Sequence, residues 1–233
     1  MHSFPAHGAP SPGTGAAWRV LPFAVLVAFV AAGQLLLASA WRDAFDVRWL
    51  TVARGLVVGM LLAFSWRRFA ELRPVRLPPG QLALTMAAGL VVFALWIALD
   101  QGWAVIDARE RGFEPLDARG ALDPTLYALR FAGFALVVPV AEELFWRSFL
   151  LRWVDRKRFL DVDPRTASLK AFAICSALFA LEHSQWLAGL AAGIIYTGLY
   201  TRTGNLWAPI VSHAITNAAL GIWILATGRW VLW

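Results

Sequence analysis

The chain has 233 residues, of which 59% are hydrophobic and only 15% are charged. Soluble domains carry about 45–50% apolar and about 25% charged residues, so this composition excludes an ordinary soluble domain and indicates a membrane protein. The apolar runs are continuous and do not alternate with polar residues, which favours helices over a β-barrel. The net charge is +6, but the sequence has no cluster of basic residues interspersed with aromatic residues. We therefore assign it to membrane orientation and predict no nucleic-acid partner.

Residues 1–17 are rich in Pro, Gly, Ala and Ser and are predicted to form a flexible tail. The first apolar run, 20–40, ends like a signal-peptidase site but exceeds the about 7–15 residues of a signal sequence, so we predict a retained helix. Residues 18–233 are predicted to form one all-α domain, a polytopic transmembrane bundle of about seven helices. The later runs lie near 50–66, 82–99, 126–151, 168–183, 186–200 and 206–226.

Charge differs between the connections. Arginines and lysines crowd 67–76 and 152–170, whereas 100–123 is mostly acidic. Basic loops stay on the cytoplasmic side of a membrane, so we predict that both basic connections and the N-terminus are cytoplasmic. The expected location is the cell membrane, as a multi-pass protein of a bacterial inner membrane.

The fourth run contains the first group of ionisable residues, and such groups inside a membrane mark functional sites by default. Glu143 and Arg147 are spaced i,i+4 with the acid first, the favourable order for an ion pair. We therefore expect Glu143 to stay ionised in a structural role. Glu142 points about 100° away and is left unpaired, and an apolar setting would tune it as a general base. The alternative is a Glu–Arg network that only ties helices together.

Two later runs carry the only histidines outside the N-terminal tail. His183 shares a helix face with Phe179, although a histidine at a helix end is often only a structural hydrogen-bonder. Glu182 beside it is expected at the membrane interface, without a catalytic role. His213 and Asn217 are spaced i,i+4 and point at one spot, which suits donors to a developing oxyanion or hydrogen bonds between helices.

These groups lie on three separate helices of the predicted bundle. Together they predict a site that activates water and stabilises an oxyanion, which is the equipment for peptide-bond hydrolysis without a covalent intermediate. One alternative is a non-catalytic membrane scaffold or partner-binding protein, which would tolerate replacement of Glu142. Another is a small transporter with a proton relay, but that predicts inverted repeats or broken helices, which the sequence does not clearly show.

At these positions the sequence resembles the CAAX prenyl protease and bacteriocin-processing family of intramembrane endopeptidases. The Glu-Glu-x-x-x-Arg, Phe-x-x-x-His and His-x-x-x-Asn/Asp motifs of that family read here as 142–147, 179–183 and 213–217, in family order. The resemblance covers about residues 126–225, the expected catalytic core.

The resemblance implies a role for each matching residue. Glu142 would activate the water and His183 would help to hold it, while His213 and Asn217 would form the oxyanion hole. The residues that it implies in supporting roles are Glu143, Arg147 and Phe179.

Segments 179–186 and 226–230 resemble a bacterial subgroup of CAAX-protease-related proteins that accompany exosortase and C-terminal sorting-signal systems. The expected partners are therefore the lipid bilayer, a membrane-associated protein or peptide substrate and an exosortase system. The sequence does not name the substrate, and a prenylated one is not required.

A metal-dependent version is the remaining alternative. Glu142, His183 and His213 could form a two-His, one-carboxylate Zn2+ site. The chain lacks a His-Glu-x-x-His helix, and Asn217 is a poor zinc ligand but a good hydrogen-bond donor. We therefore favour a mechanism without a metal or other cofactor.

Overall fold

The computed structural model describes residues 12–41, 44–73, 75–106 and 112–233. The described residues are 77% helical, and no strand occurs within those ranges. Seven helices are found in the described part of the chain, which confirms the predicted all-α bundle. Their bounds are α1 Pro12–Leu37, α2 Arg48–Ser65, α3 Pro79–Ala98, α4 Pro124–Asp155, α5 Leu169–Leu181, α6 Trp186–Thr203 and α7 Trp207–Thr227.

Five of the helices, α1 to α4 and α7, are long and apolar enough to cross a membrane. Large apolar side chains face outward on these helices, among them Phe64, which is 80% exposed, and Leu136, which is 65% exposed. Lipid is the solvent that such a surface requires. Helix α5 has only 13 residues, about 20 Å at 1.5 Å per residue, which is short of the about 30 Å apolar thickness of a bilayer.

Helix α1 begins earlier than the sequence suggested. It starts at Pro12, so residues 12–17, predicted as part of a flexible tail, are helical; the rest of that tail lies outside the described residues. Proline suits the first turn of a helix, where its missing N–H costs nothing. The first turns are also anchored, because Arg19 donates to the Gly15 carbonyl at 2.9 Å and to Glu71 at 2.7 and 2.6 Å.

Glu71 joins three parts of the chain through its carboxylate. It lies in the connection between α2 and α3 and pairs with Arg19 of α1. From α4 it accepts a hydrogen bond from Ser148 and pairs with Arg152 at 3.5 Å. Burial alone would raise the pKa of Glu71, but the hydrogen bonds and charge of Arg19 outweigh it and hold that pKa below the ordinary value.

Helices α5 and α6 form a closely packed hairpin that fixes the end of α5. A Cβ atom on Gly193 would lie 2.8 Å from the Ser176 carbonyl oxygen, and one on Gly189 would lie 3.2 Å from the His183 Cβ. The two helices therefore approach each other closely at this Gly-x-x-x-Gly pair. This contact holds His183 at a fixed place beside α6.

Helix α4 is not a regular α-helix throughout. Two π-helical segments, Gly133–Val137 and Leu144–Leu150, flank the short α-helical stretch that contains Glu142 and Glu143. Pro139 lies between them and cannot donate a backbone hydrogen bond. Such π segments occur mostly at functional sites, and here they set the direction in which both glutamates project.

The first prediction concerns the Glu71 network. Glu71→Gln should lower the free energy of unfolding by about 3–5 kcal/mol, because it leaves Arg19 buried without its counter-ion. The pKa of Glu71 is lowered by folding, so its contribution is complete above its ordinary value of 4.5 and is lost as the pH falls through the folded pKa. Melting temperatures of parent and variant should therefore differ at pH 7 and begin to converge only below pH 4.5, as the pH falls toward the lowered pKa of Glu71 in the folded protein. The control is Asp161→Asn, which breaks an exposed pair; an equal effect there would contradict the prediction.

The second prediction concerns orientation in the membrane. Arg119→Cys and Asp161→Cys place single reactive thiols on exposed positions of the acidic and the second basic connection, and the native Cys175 is fully buried. A membrane-impermeant maleimide should label Arg119→Cys in intact cells and Asp161→Cys only after permeabilisation. The reverse pattern would refute the predicted orientation.

Candidate active site

A cavity of about 240 Å³ lies among α3 to α7. Its wall includes Glu142 from α4, His183 just after α5, and both His213 and Asn217 from α7. Three stretches of sequence that are separated by about 30 to 40 residues are thus brought to one space. All four residues that the sequence singled out for direct chemistry line this cavity.

Glu142 is the unpaired acid of this cavity. The residue is 7% exposed, and its Oε2 atom has no hydrogen-bond partner among the described residues. A buried carboxylate without a partner is unfavourable, and each such group in a native structure calls for a reason. The sequence-based expectation that Glu142 stays unpaired therefore agrees with its surroundings, which leave this oxygen available to a water or substrate atom.

Glu143 has the opposite environment, although it is the next residue. Its Oε1 accepts from Arg147 Nη1 at 3.1 Å and lies 3.0 Å from His213 Nδ1. The side chains of Glu143 and Arg147 are fully buried, and His213 is nearly so. The predicted i,i+4 pair is present, and it extends to a third group on α7. Since Nδ1 of His213 donates to this carboxylate, its other ring nitrogen is the one left for the cavity.

Phe179 explains how Arg147 is held. The Arg147 guanidinium lies over the Phe179 ring at 4.2 Å from its centre, a geometry that stabilises a buried cation. Arg147 Nη2 also approaches the carbonyl oxygen of Gly193 on α6 at 3.4 Å. The phenylalanine and arginine of two different motifs therefore form one supporting contact under the cavity.

His183 is oriented by the backbone of its own helix. Its Nδ1 lies 2.8 Å from the Phe179 carbonyl oxygen, and a carbonyl can only accept, so Nδ1 carries the proton. In the neutral ring Nε2 is then an acceptor. The edge of the ring also packs against Trp96, with centroids 5.2 Å apart. This arrangement suits a group that accepts a hydrogen bond from a water.

Asn217 donates through Nδ2 to the Phe134 carbonyl at 2.9 Å. Phe134 belongs to the first π-helical segment of α4, so the irregular helix and α7 are joined at this point. An amide nitrogen has two hydrogens, and this contact uses one of them. His213 beside it stacks on Tyr196 at 5.0 Å. Both donors of the predicted oxyanion hole are thus fixed in place by their neighbours.

Glu182 is a site residue that the sequence reasoning missed. It was expected at the membrane interface, but it lines the cavity together with Glu142 and accepts a hydrogen bond from Trp146 Nε1 at 3.0 Å. The residue itself is exposed, so it lies at the open side of the cavity. The sequence indicated only that Trp146, four residues after Glu142, lies on the same helix face as Glu142. Nothing in it linked Trp146 to Glu182.

The zinc alternative requires three donors that converge. No group of three or more His, Cys, Asp or Glu side chains among the described residues is arranged to hold a metal ion. The Nδ1 atoms of His183 and His213 are both engaged, by a carbonyl and by Glu143. Nδ1 contacts of this kind also orient zinc-binding histidines, so they do not argue against zinc. The observation against it is that Glu142, His183 and His213 are not gathered into a group of three donors in this arrangement.

The third prediction concerns the buried ion pair. Arg147→Ala should reduce stability by about 3–5 kcal/mol, because Glu143 would keep its charge in an apolar interior with only His213 beside it. The measurement is thermal unfolding of the purified protein in detergent. Arg202→Ala, which removes an exposed arginine of α6, is the matched control. If both variants melt with the parent, the pair does not carry the stability assigned to it.

Comparison with known proteins bears on the same residues. No curated protein and no solved structure matches the chain. One family model does match, and the matched segment contains all three motifs, with Glu142, His183, His213 and Asn217. Residues 124–219, less than half of the chain, match the family described as type II CAAX prenyl endopeptidase Rce1-like, and this match points to a membrane protease.

Proposed function

We propose that this protein is an intramembrane endopeptidase that hydrolyses a peptide bond of a membrane-associated protein or peptide with a water activated by Glu142. The observation that carries the proposal is the unpaired, buried carboxylate of Glu142 in one cavity with His183, His213 and Asn217. The family match over residues 124–219 supports proteolysis as the reaction class.

In the first step Glu142 accepts a proton from a water whose second hydrogen bond goes to Nε2 of His183. The water oxygen forms a bond to the carbonyl carbon of the scissile peptide, and the carbonyl oxygen takes the negative charge. Asn217 and His213 donate hydrogen bonds to that oxygen. His213 can do so when its ring is protonated, and the adjacent Glu143 carboxylate stabilises that positive charge.

In the second step the tetrahedral intermediate collapses. The carbon–nitrogen bond breaks, the carbonyl re-forms, and the proton held by Glu142 passes to the leaving nitrogen. The products are a carboxylic acid and an amine, and Glu142 returns to its starting state. One carboxylate thus serves first as base and then as acid, while Glu143, Arg147 and Phe179 hold the donors in position.

The resemblance to the exosortase-associated subgroup adds a finer proposal about biology. In that case the substrate is an envelope protein with a C-terminal sorting signal, and the protein works beside an exosortase in the bacterial inner membrane. Co-purification of a tagged exosortase with this protein from the native host would support this assignment. Cleavage of a peptide-export leader instead would contradict it.

The fourth prediction tests Glu142 as the base. Glu142→Gln keeps the shape of the side chain and removes its basicity, so the rate of cleavage should fall by about 10⁴-fold, the upper end for a general base. Cleavage is followed on candidate membrane substrates in liposomes, and folding is checked by thermal shift. Glu114→Gln, in an exposed connection, should retain the parent rate.

Further outcomes of this experiment separate the alternatives. The parent should keep its activity in the presence of a chelator; inhibition by chelation together with loss of bound metal would support the zinc version. A non-catalytic scaffold would show no change in function with Gln at position 142. Cleavage by Glu142→Gln at close to the parent rate would remove Glu142 as the base and favour Glu143 or Glu182.

A further inference from the structure

Two arginines lie inside the bundle outside the three motifs. Arg54 belongs to α2 and Arg130 to α4, and each is six residues past the start of its candidate span, Arg48 and Pro124. At 1.5 Å per residue this is about 9 Å along the helix axis. Arginine at such a depth is costly unless it faces a polar partner or a cavity.

Neither arginine side chain has a hydrogen-bond acceptor or a close ion-pair partner in the described part of the chain, although Arg54 lies within the electrostatic reach of Glu142. No ion pair or hydrogen bond there involves Arg54 or Arg130. Arg130 is only 9% exposed, and its Nε is a buried donor without an acceptor. The other buried arginines, such as Arg19 and Arg147, bind carboxylates. Among the described residues, the guanidinium donors of Arg54 and Arg130 are therefore open to an acidic group that enters the cavities they line.

Aromatic rings hold the Arg130 guanidinium in place. Phe113, Phe134 and Trp233 lie with ring centres 5.3, 5.5 and 5.6 Å from its central carbon. These contacts stabilise the cation but supply no hydrogen-bond acceptor for its N–H groups. The guanidinium is therefore fixed in position while its donors stay available.

Both arginines line two cavities, and the second leads toward the proposed active site. The first cavity, of about 260 Å³, lies near the start of α2 and the chain end at Trp233. The second, of about 340 Å³, is also lined by Glu142 and Glu182. A group bound by the two arginines would thus sit in the space next to the carboxylate that activates water.

We propose that Arg54 and Arg130 form a binding site for a carboxylate of the peptide substrate, either its chain terminus or an acidic side chain. The site sets the distance between that carboxylate and the bond placed at Glu142, and so determines which peptide bond is cut. This inference rests on the proposed function, because it specifies the substrate for the same cavity.

A peptide carboxylate fits these observations better than a lipid phosphate. The arginines lie about two helical turns inside their spans, below the level of lipid headgroups. A lipid in the second cavity would also occupy the approach to Glu142. Carboxylates match the forked donor geometry of arginine and form charge-assisted hydrogen bonds with it.

The test is a binding measurement that does not depend on cleavage. The probes are N-dodecanoylglycine and its neutral amide, which share chain length and membrane affinity but differ in the carboxylate. Binding to the full-length protein in neutral detergent is followed by tryptophan fluorescence, since Trp233 contacts Arg130, and by thermal shift. The parent should bind the acid about 10- to 100-fold more tightly than the amide, as expected for hydrogen bonds to charged groups.

The variants identify the site. Arg54→Gln and Arg130→Gln should each lose most of this preference, whereas Arg130→Lys should keep part of it and Arg202→Gln should keep all of it. The melting temperature of Arg130→Gln without ligand should not fall below that of the parent, because the substitution removes a buried charge that lacks a partner. An unchanged melting temperature would show that the loss of binding is not caused by unfolding.

Two results would overturn the proposal. One is equal affinity for acid and amide in the parent, or a preference that survives in both Gln variants. The other is binding of phosphatidylglycerol from vesicles through these arginines without any preference for the acyl-glycine acid, which would assign the site to a lipid. The binding measurement does not depend on cleavage. If the parent proved inactive, or if Glu142→Gln cleaved normally, the proposed function would be refuted, but the binding result would still stand.

Discussion

One buried carboxylate organises the centre of this protein. Glu143 is bonded to Arg147 on its own helix and to His213 on α7, while Arg147 in turn packs on Phe179 of α5 and contacts the Gly193 carbonyl of α6. Four helices are therefore held by one charged cluster from which water is excluded. In an apolar interior such a cluster is favourable only when its charges are mutually compensated, so its members depend on each other.

The ion pair of Glu143 contrasts with the surroundings of Glu142. The two residues are adjacent and both buried, and each has a buried Oε2 without a hydrogen-bond partner among the described residues. Oε1 of Glu143 has two partners, however, and of the two residues only Glu142 lines the cavity. A membrane protein that bears the cost of an unpaired acid retains it for chemistry. The same reasoning applies to Arg54 and Arg130, whose unpaired charges face the neighbouring cavities. Paired charges hold this bundle together, and we propose that the unpaired charges mark the places where a water and a substrate bind.

Much of this was predictable from the sequence, because helix periodicity and spacing are local properties. The helix count and the Glu143–Arg147 pair followed from the sequence pattern alone. The contact between Glu143 and His213 was not predictable, since it joins residues 70 positions apart and depends on how α4 and α7 cross. The place of Glu182 beside the cavity was not predicted, because its contact with Trp146 joins residues 36 positions apart. The π-helical segments of α4 were not predicted either.

The central claim is that two neighbouring glutamates have separate tasks, and the most direct test compares the thermal unfolding of Glu143→Gln with that of Glu142→Gln. The account predicts that Glu143→Gln melts well below the parent, because Arg147 loses its counter-ion and His213 its acceptor. Glu142→Gln should melt at or above the parent temperature, because it removes a buried charge that lacks a partner. Equal destabilisation by both substitutions, or a stable Glu143→Gln protein, would contradict the account.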